Sequence, residues 1–335
     1  MTEFNKIGVV GGGAWGTALG EAMARAGRDV LLWAFEIETI SEINEFHTNR
    51  NYLPGVSLNK SIRATGKLAD IADCDAVLLV APAQHMGVIV GDLSAHLKDD
   101  IPLIICAKGI EQKTGRLMSE VVREASPKGE IMVLSGPSFA AEVARGLPAA
   151  VTLACDDAER GQALMNAIGH KTFRPYLSDD LIGVQIGGAL KNVLAIAAGI
   201  VDGKEMGNSA HAALVTRGFG ELVQFGEAYG AKRDTMMGLS GYGDLLLTCS
   251  SHQSRNMTLG RALGQGQSLE EILGGRKSVT EGVYSAGIAH RMAQDKGLDV
   301  PIMEAVYRVL EGEVSVDQAI DDLLTRPFGL EIEPG

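Results

Sequence analysis

The amino-acid sequence predicts an α/β protein in which a doubly wound parallel sheet precedes an all-α C-terminal part. Through about residue 180, short apolar runs alternate with segments of helical periodicity, and beyond about Leu181 the strand pattern stops. The apolar runs are continuous rather than alternating, which suits strands covered on both faces of a sheet. We therefore predict two domains, over residues 1–182 and 183–335.

The first predicted strand leads through a glycine turn into a helix. After the apolar run Lys6–Val10, the residues Gly11, Gly13 and Gly16 satisfy the spacing G-x-G-x-x-G, and the helical period then ends near Gly27. The first glycine permits a tight turn, the second lets the backbone approach a pyrophosphate, and the third lets the helix pack on the strand. The spacing predicts that the N-terminal domain is Rossmann-like and binds a dinucleotide.

The later elements follow from the same patterns. Further strands are predicted over residues 30–35, 76–80, 103–106, 131–134 and 149–153. Long helices are predicted over residues 181–202 and 210–229. Ser268 and Ser315 each open a capping-box spacing, and Pro301 suits the first turn of a helix over 302–311.

Composition and charge exclude several classes of protein. Of the 335 residues, 46% are hydrophobic and 21% charged, as in globular enzymes, and a formal charge of −12 argues against a general nucleic-acid binder. The cysteines are widely spaced and form no C-x-x-C pair, so we expect buried thiols and no metal site: Cys74, Cys106, Cys155 and Cys249. No signal-peptide pattern and no apolar run of membrane-spanning length is evident, so we expect a cytoplasmic protein without a membrane span.

The end of the second predicted strand bears on the choice of cofactor. Glu36 lies about 20 residues beyond Gly16, where an acidic side chain takes the ribose hydroxyls of NAD and an arginine favours the 2′-phosphate of NADP. No arginine follows until Arg50. We expect NAD to be preferred, with NADP as the alternative. Glu36 has a second interpretation, in which it only caps the next helix.

Two polar segments follow predicted strands of the sheet. Lys108 comes just after the run 103–106, and Gly136 and Ser138 follow the run 131–134. Open α/β sheets bind ligands at the carboxyl ends of their strands, so these groups are candidate ligand contacts. The alternatives are a solvated lysine and a Gly-Pro turn.

The helical part carries the candidate catalytic group. Lys191 and Asn192 lie in an apolar helix, and a lysine is rarely buried without a partner or a task. Such a lysine can donate a proton to a developing alkoxide. Burial would lower its pKa and a nearby phosphate would raise it, so the sequence leaves the direction open.

Two further charged groups stand at helix starts. Asp244 is either a helix N-cap or an acceptor for Lys191 or a substrate hydroxyl. Arg255, within Ser254-Arg255-Asn256 at the start of another helix, combines a planar guanidinium with open backbone N–H groups, which suits a phosphate. These groups together indicate hydride transfer to a small phosphorylated carbonyl compound.

Nine blocks of the sequence resemble the family of NAD(P)-dependent glycerol-3-phosphate dehydrogenases. They run in order over most of the chain: residues 11–19, 50–55, 107–111, 134–140, 187–200, 212–218, 241–249, 254–256 and 280–286. The resemblance implies reversible reduction of dihydroxyacetone phosphate to sn-glycerol 3-phosphate, which feeds phospholipid synthesis, by a homodimer.

The resemblance also implies roles for individual residues. Lys191 would be the proton donor or acceptor, with Lys108 and Asp244 beside it. The substrate would be contacted by Lys108, Gly136, Ser138, Lys191, Asn192, Asp244, Thr248, Ser254, Arg255 and Asn256. The cofactor would be contacted by Gly11, Gly13, Ala14, Trp15, Gly16, Phe35, Glu36, Lys108, Ala140, Arg255, Val279 and Glu281.

The resemblance is accompanied by a departure that bears on the cofactor and by three open interpretations. Many bacterial members carry arginines at the positions of Phe35 and Glu36, whereas this chain resembles the NAD-specific eukaryotic members there. Glu281 also completes a capping-box spacing with Ser278. A 3-hydroxyacid dehydrogenase would explain Lys191 and Asn192 but not Arg255, and a dinucleotide-sensing regulator would need none of the lysines.

Overall fold

Eight strands form one sheet in the computed structural model, which describes residues 4–274 and 281–328. They lie in the order β3-β2-β1-β4-β5-β6-β7-β8, and every neighbouring pair is parallel except β6 with β7. The strands are β1 (Lys6–Val10), β2 (Asp29–Trp33), β3 (Arg63–Thr65), β4 (Ala76–Leu79), β5 (Pro102–Ile105), β6 (Glu130–Ser135), β7 (Ala149–Cys155) and β8 (Phe173–Ser178).

Helices cover the sheet and make up the C-terminal part. Those between the strands are α1 (Ala14–Arg25), α2 (Ile37–Phe46), α3 (Met86–Ser94), α4 (Met118–Ala125), α5 (Ala140–Ala144) and α6 (Ala158–Ile168). Those after the sheet are α7 (Leu181–Gly203), α8 (Asn208–Ala228), α9 (Arg233–Met237), α10 (Asp244–Cys249), α11 (Arg255–Gly264), α12 (Leu269–Gly274), α13 (Glu281–Lys296), α14 (Pro301–Leu310) and α15 (Val316–Leu324). A π-helical turn, Leu239–Gly243, precedes α10.

The predicted fold class is confirmed, and two strands were not predicted. All six predicted runs are strands, but β3 has only three residues and β8 contains Pro175, and neither shows a continuous apolar run. The two missed strands lie at the two edges of the sheet, where short strands and proline are tolerated. The reversed direction of β7 was also not foreseen.

The helix signals are largely confirmed. Ser268 and Glu271 exchange the two bonds of a capping box, with Ser268 N donating to the Glu271 carboxylate at 2.9 Å and Glu271 N donating to Ser268 Oγ at 3.3 Å. Ser315 Oγ accepts from Gln318 N at 3.1 Å, and Pro301 is the first residue of α14. These caps fix where α12, α14 and α15 begin.

The sheet is buried on both faces, as its continuous apolar strands predict. Ile7 and Val9 of β1 face one apolar layer and Val10 faces the other, and all three are fully buried. A separate apolar core lies among the C-terminal helices around α7. All four cysteines are buried, as expected.

One expectation about apolar length is wrong. Among the described residues, helix α7 is long and apolar enough to cross a membrane by length and composition. Its most apolar 18-residue window lies wholly inside the fold, however, because α8, α10, α11 and α13 pack around it. The helix is the centre of the C-terminal core.

Helices α7 and α11 approach each other closely through glycines on both sides. A Cβ on Gly199 would lie 2.1 Å from the carbonyl oxygen of Met257, and one on Gly260 would lie 2.0 Å from that of Ile196. Only glycine permits this backbone-to-backbone contact. The contact fixes the start of α11 beside the middle of α7, which carries Lys191.

Candidate active site

The glycine turn between β1 and α1 has the geometry that its spacing predicts. Gly11 has a φ of +133°, and a Cβ there would lie 2.9 Å from backbone atoms of Val80 and Ala81. A Cβ on Gly16 would lie 1.9 Å from the Gly11 carbonyl oxygen, whereas one on Gly13 would meet nothing within 4 Å. Gly11 therefore makes the turn, Gly16 permits the close packing, and Gly13 leaves an open face.

The start of α1 fits the pyrophosphate of a dinucleotide. Gly13 is the N-cap and supplies no side-chain cap, so the first N–H groups of the helix point outward past Ala14. The indole Nε1 of Trp15 is buried and has no hydrogen-bond partner among the described residues. A bound anion and its neighbouring polar atoms would satisfy these donors.

The segment after β2 presents an acidic edge rather than a basic one. Glu36 occupies the N-cap position of α2, but its side chain makes no capping bond and instead accepts from the Tyr52 hydroxyl at 2.9 Å. The interpretation that Glu36 merely caps this helix is therefore wrong. Arg50 is held by Glu42, with 2.6 Å between Nε and Oε1, and Phe35 is 83% exposed.

Inside the helical part, Lys191 meets Asp244 and Thr248. Its Nζ lies 2.5 Å from Asp244 Oδ1 and 2.9 Å from Thr248 Oγ1. The Thr248 hydroxyl in turn donates to the carbonyl oxygen of Asp244 at 2.6 Å. The prediction that Asp244 accepts from Lys191 is confirmed. The N-cap interpretation is wrong, because α10 begins at Asp244 and Gly243 holds the cap position.

Lys108 reaches the same carboxylate from the sheet. It follows β5, and its Nζ donates to Asp244 Oδ2 at 2.6 Å and to the Gly136 carbonyl oxygen at 3.0 Å. That carbonyl also accepts from Ser138 Oγ at 3.0 Å. One buried carboxylate therefore bridges two ammonium groups that come from different parts of the chain. We call Lys108, Asp244 and Lys191 the lysine–aspartate cluster.

Two glycines of α7 make this meeting possible. A Cβ on Gly187 would lie 2.6 Å from the carbonyl oxygen of Ser240, in the π-helical turn that leads into α10. A Cβ on Gly188 would lie 2.8 Å from Ser135 Oγ, at the end of β6. Larger residues here would push α7 away from both the sheet and α10.

Burial governs the acidity of Lys191. It lowers the pKa of Lys191 to about 8; the Asp244 carboxylate opposes this shift, and the nearby Lys108 charge adds to it. The direction of the pKa shift that the sequence left open is therefore downward. Each ammonium has three N–H groups, and two of them are engaged within the described residues. No third bond of either ammonium is seen within residues 4–274 and 281–328.

The start of α11 has the predicted anion-binding form. Ser254 is the N-cap, and its Oγ accepts from Met257 N at 3.2 Å. Arg255 follows it and is exposed, while Asn256 is buried and donates from Nδ2 to Asn192 Oδ1 at 2.9 Å. An exposed guanidinium beside open helix N–H groups is a strong arrangement for a phosphate.

The start of α13 joins the same region. Gly282 N donates to Asn256 Oδ1 at 3.0 Å, and Glu281 stands one residue earlier. Burial raises the pKa of Glu281, whereas the positive charges of Arg255, Lys191 and Lys108 lower it. The Glu281 carboxyl group therefore interacts electrostatically with all three of these cations.

The structure brings most of the predicted site residues together in two groups. The first lies around the lysine–aspartate cluster with Gly136, Ser138 and Thr248, and the second is the α11 start with Asn192 and Glu281. The glycine turn, Ala14, Trp15, Phe35 and Glu36 lie at the ends of β1 and β2, and Ala140 begins α5. Val279 and the capping-box residue Ser278 lie outside the described residues. Among the described residues, no group of metal-binding side chains is found.

Two further residues of this region were not singled out from the sequence. Asn49 is fully buried and donates to the Gly12 carbonyl oxygen at 2.9 Å and to Thr17 Oγ1 at 2.8 Å, so it ties the loop after α2 to the glycine turn. Tyr52 contacts Glu36. The block 50–55 drew attention to this loop, but nothing in its local pattern indicated which groups it would meet.

Comparisons with known proteins point to one family. The family described as NAD-dependent glycerol-3-phosphate dehydrogenase matches in both its parts, the N-terminus over residues 6–161 and the C-terminus over residues 180–321. A relative named glycerol-3-phosphate dehydrogenase [NAD(P)+] from Parvibaculum lavamentivorans is 56% identical over 98% of this chain and 98% of its own. The protein of that name from Caulobacter vibrioides is 54% identical over 97% and 98%.

A solved structure shares the whole architecture. The crystal structure of glycerol-3-phosphate dehydrogenase from Coxiella burnetii superposes with a TM-score of 0.91 at 35% identity, covering 96% of this chain and 99% of that one. The sheet and the helical part are therefore both similar to those of that protein.

Proposed function

The chain belongs to the family of NAD-dependent glycerol-3-phosphate dehydrogenases, and from this premise we propose that it interconverts dihydroxyacetone phosphate and sn-glycerol 3-phosphate with NAD(H) as its preferred cofactor. The observation that carries the proposal is the lysine–aspartate cluster at the ends of β5 and β6. The family assignment sets aside both a 3-hydroxyacid dehydrogenase and a purely regulatory protein.

Lys191 is the proposed proton donor for the carbonyl oxygen. A nicotinamide dinucleotide held by the glycine turn would supply a hydride to the carbonyl carbon of the substrate, and negative charge would then develop on the carbonyl oxygen. Lys191 neutralises that charge by giving up a proton from Nζ, and its lowered pKa means that the neutral amine is readily accommodated afterwards. Asp244 and Thr248 hold two of its N–H groups and so direct the third. The reverse reaction uses the neutral amine as the base.

The other substrate contacts surround this group. Lys108 offers a second ammonium N–H near the same carboxylate, and its bond to the Gly136 carbonyl oxygen keeps it in place. The Ser138 hydroxyl donates a hydrogen bond to the same carbonyl oxygen. Because the cluster carries two cations and one anion, it favours an anionic ligand or a developing alkoxide.

The substrate phosphate is assigned to the start of α11. Ser254 caps the helix, Arg255 supplies the guanidinium, and the backbone N–H groups of the first turn supply further donors. Asn256 uses its carbonyl oxygen and one amide N–H within the protein, which leaves its second amide N–H for the phosphate. Asn192 supports it from α7.

The cofactor is assigned to the glycine turn and to the segment after β2. Gly11, Gly13, Ala14, Trp15 and Gly16 would hold the pyrophosphate, and Phe35 and Glu36 the adenosine end. Support for NAD over NADP comes from the carboxylate of Glu36 and from the pairing of Arg50 with Glu42, which leaves an acidic edge toward a 2′-phosphate. Family resemblance adds Lys108, Ala140, Arg255, Val279 and Glu281 as cofactor contacts.

The proposal also covers domain organisation, assembly and cellular role. The division into a dinucleotide-binding domain over 1–182 and a substrate domain over 183–335 follows the change from sheet to helices. We also propose a homodimer that acts in the cytoplasm and supplies glycerol phosphate for phospholipid synthesis. Sedimentation velocity of the purified protein tests the dimer, which a monomer at enzymatic concentrations would contradict.

A steady-state assay tests the reaction itself. Purified protein is given dihydroxyacetone phosphate with NADH and, separately, with NADPH, and kcat/KM is measured for each cofactor. We expect turnover with both and a higher value with NADH. Absence of turnover, or a preference for a 3-hydroxy acid over glycerol 3-phosphate in the oxidising direction, would contradict the proposed substrate.

A further inference from the structure

The loop between α2 and β3 is fixed at two points on either side of Tyr52. Asn49 is anchored to the glycine turn through the Gly12 carbonyl oxygen and Thr17. Leu53 is buried, and its N–H donates to the Asn49 carbonyl oxygen at 2.7 Å. Tyr52 is 40% exposed, but its backbone therefore has a fixed place relative to the turn that receives the pyrophosphate.

The Tyr52 hydroxyl reaches the carboxylate on which the choice of cofactor depends. It donates to Glu36 Oε1 at 2.9 Å. Glu36 is exposed and makes no capping bond to α2, so this hydroxyl, and not the helix, restrains its side chain. The hydrogen bond with Glu36 raises the pKa of Tyr52, so the phenol stays a donor at neutral pH. A carboxylate has about four acceptor positions, so the bond leaves room for two ribose hydroxyls.

We propose that Tyr52 is a specificity-determining residue that holds Glu36 in the orientation for the adenosine ribose of NAD and against the 2′-phosphate of NADP. This inference rests on the proposed assignment of Glu36 to the cofactor. An unrestrained glutamate at an exposed position samples many rotamers, which weakens its bonds to the ribose hydroxyls. It can also swing away from a phosphate, which reduces the repulsion. Both effects of losing Tyr52 reduce the preference for NAD.

The variant Tyr52→Phe removes the hydroxyl and keeps the ring. Binding of NADH and NADPH to the full-length protein without substrate is measured by titration calorimetry, and kcat/KM is measured with each cofactor. We expect the NADH:NADPH ratio of affinities to fall by about three- to tenfold, the range for one lost hydrogen bond, with kcat for NADH nearly unchanged. Tyr176→Phe, on the edge strand β8 and 51% exposed at the other end of the sheet, is the matched control and should keep both ratios.

The same substitution in a Glu36→Gln protein tests whether Tyr52 acts by orienting Glu36 or by contacting the cofactor itself. In Glu36→Gln protein, Tyr52→Phe should change the ratio by less than about twofold, because no carboxylate remains to be oriented. An unchanged ratio in the single variant, or an equal loss in the Glu36→Gln background, overturns the inference. Wild-type preference for NADPH overturns the proposed cofactor and this inference with it. Wild-type preference for NADH with an unaltered Tyr52→Phe variant overturns this inference alone. The unfolding midpoint of the unliganded variant should equal that of the wild type.

Discussion

Lys191 and Asp244 form a buried ion pair across fifty-three positions of the chain, with 2.5 Å between Nζ and Oδ1. The other oxygen of the same carboxylate binds Lys108, so one negative charge faces two positive ones. A site with an excess of positive charge and little water favours a ligand that carries or develops negative charge. The contact with Asp244 orients the Lys191 ammonium, whereas burial lowers its pKa against the opposing effect of that carboxylate.

Lys191→Met should strongly reduce catalysis and keep cofactor binding. The variant retains most of the apolar side chain and loses the proton donor, so we expect kcat to fall by about 10²- to 10⁴-fold. The dissociation constant for NADH, measured by titration without substrate, should stay within a factor of about three. Lys204→Met, just beyond the end of the same helix and paired with Asp317, is the matched control and should keep full activity. Full activity in Lys191→Met would contradict the mechanism.

The rate of reduction should fall as pH rises through about 8. The protonated form of Lys191 donates the proton, and burial lowers its pKa to about 8, so kcat/KM for dihydroxyacetone phosphate should be flat below that pH and fall tenfold per unit above it. Oxidation of glycerol 3-phosphate needs the neutral amine and should rise through the same pH.

Two variants should shift the midpoint of this pH profile in opposite directions. Asp244→Asn removes the anion that raises the pKa of Lys191, so the midpoint should move to lower pH. Lys108→Met removes a cation that lowers this pKa, so the midpoint should move to higher pH. Profiles of kcat/KM over about pH 6 to 10 give both midpoints, and shifts in the opposite directions would exclude Lys191 as the titrating group.

Local patterns predicted the architecture well and the edges of the sheet poorly. The buried strands and the glycine turn could be predicted because each depends on a short stretch of sequence. A long apolar run indicates burial, and the spacing of Gly11, Gly13 and Gly16 indicates the backbone conformation of the turn. By contrast, β3 and β8 are strands because neighbouring strands offer them hydrogen bonds, and Pro175 argues against a strand in isolation. Nothing in the sequence of β7 marks its reversed direction.

The site shows the same division between local and tertiary causes. The start of α11 was predictable, because an N-cap and its adjacent arginine lie together in the sequence. Asp244 had two interpretations, and only the approach of Lys191 and Lys108, the latter 136 positions away, decides between them. The contact of Tyr52 with Glu36 depends on the path of a loop that Asn49 fixes from a distance.

Arg255→Met should weaken binding of the phosphorylated substrate. A charged hydrogen bond to phosphate contributes roughly 1.5–3 kcal/mol, so KM for dihydroxyacetone phosphate should rise by about 10- to 100-fold. The effect on a non-phosphorylated analogue, dihydroxyacetone, should be much smaller, which separates phosphate recognition from damage to the fold. Arg261→Met, on the same helix and paired with Asp202, is the matched control and should leave KM within about twofold. An equal effect on both substrates would contradict the phosphate assignment.

Gly260→Ala should lower stability and substrate affinity together. Its Cβ would lie 2.0 Å from the carbonyl oxygen of Ile196, so α7 and α11 would have to separate along their contact. Overpacking of this kind costs typically 1–3 kcal/mol, and the displaced α11 carries Arg255, so both the free energy of unfolding and the affinity for dihydroxyacetone phosphate should fall.

Gly220→Ala on α8, where a Cβ would meet nothing within 4 Å, is the matched control and should stabilise the helix by about 0.5–1 kcal/mol. Urea unfolding and KM measurements on both variants check the prediction. A Gly260→Ala protein as stable as the wild type would show that α11 can shift without loss of packing, and the proposed fixing of Arg255 by this contact would then be wrong.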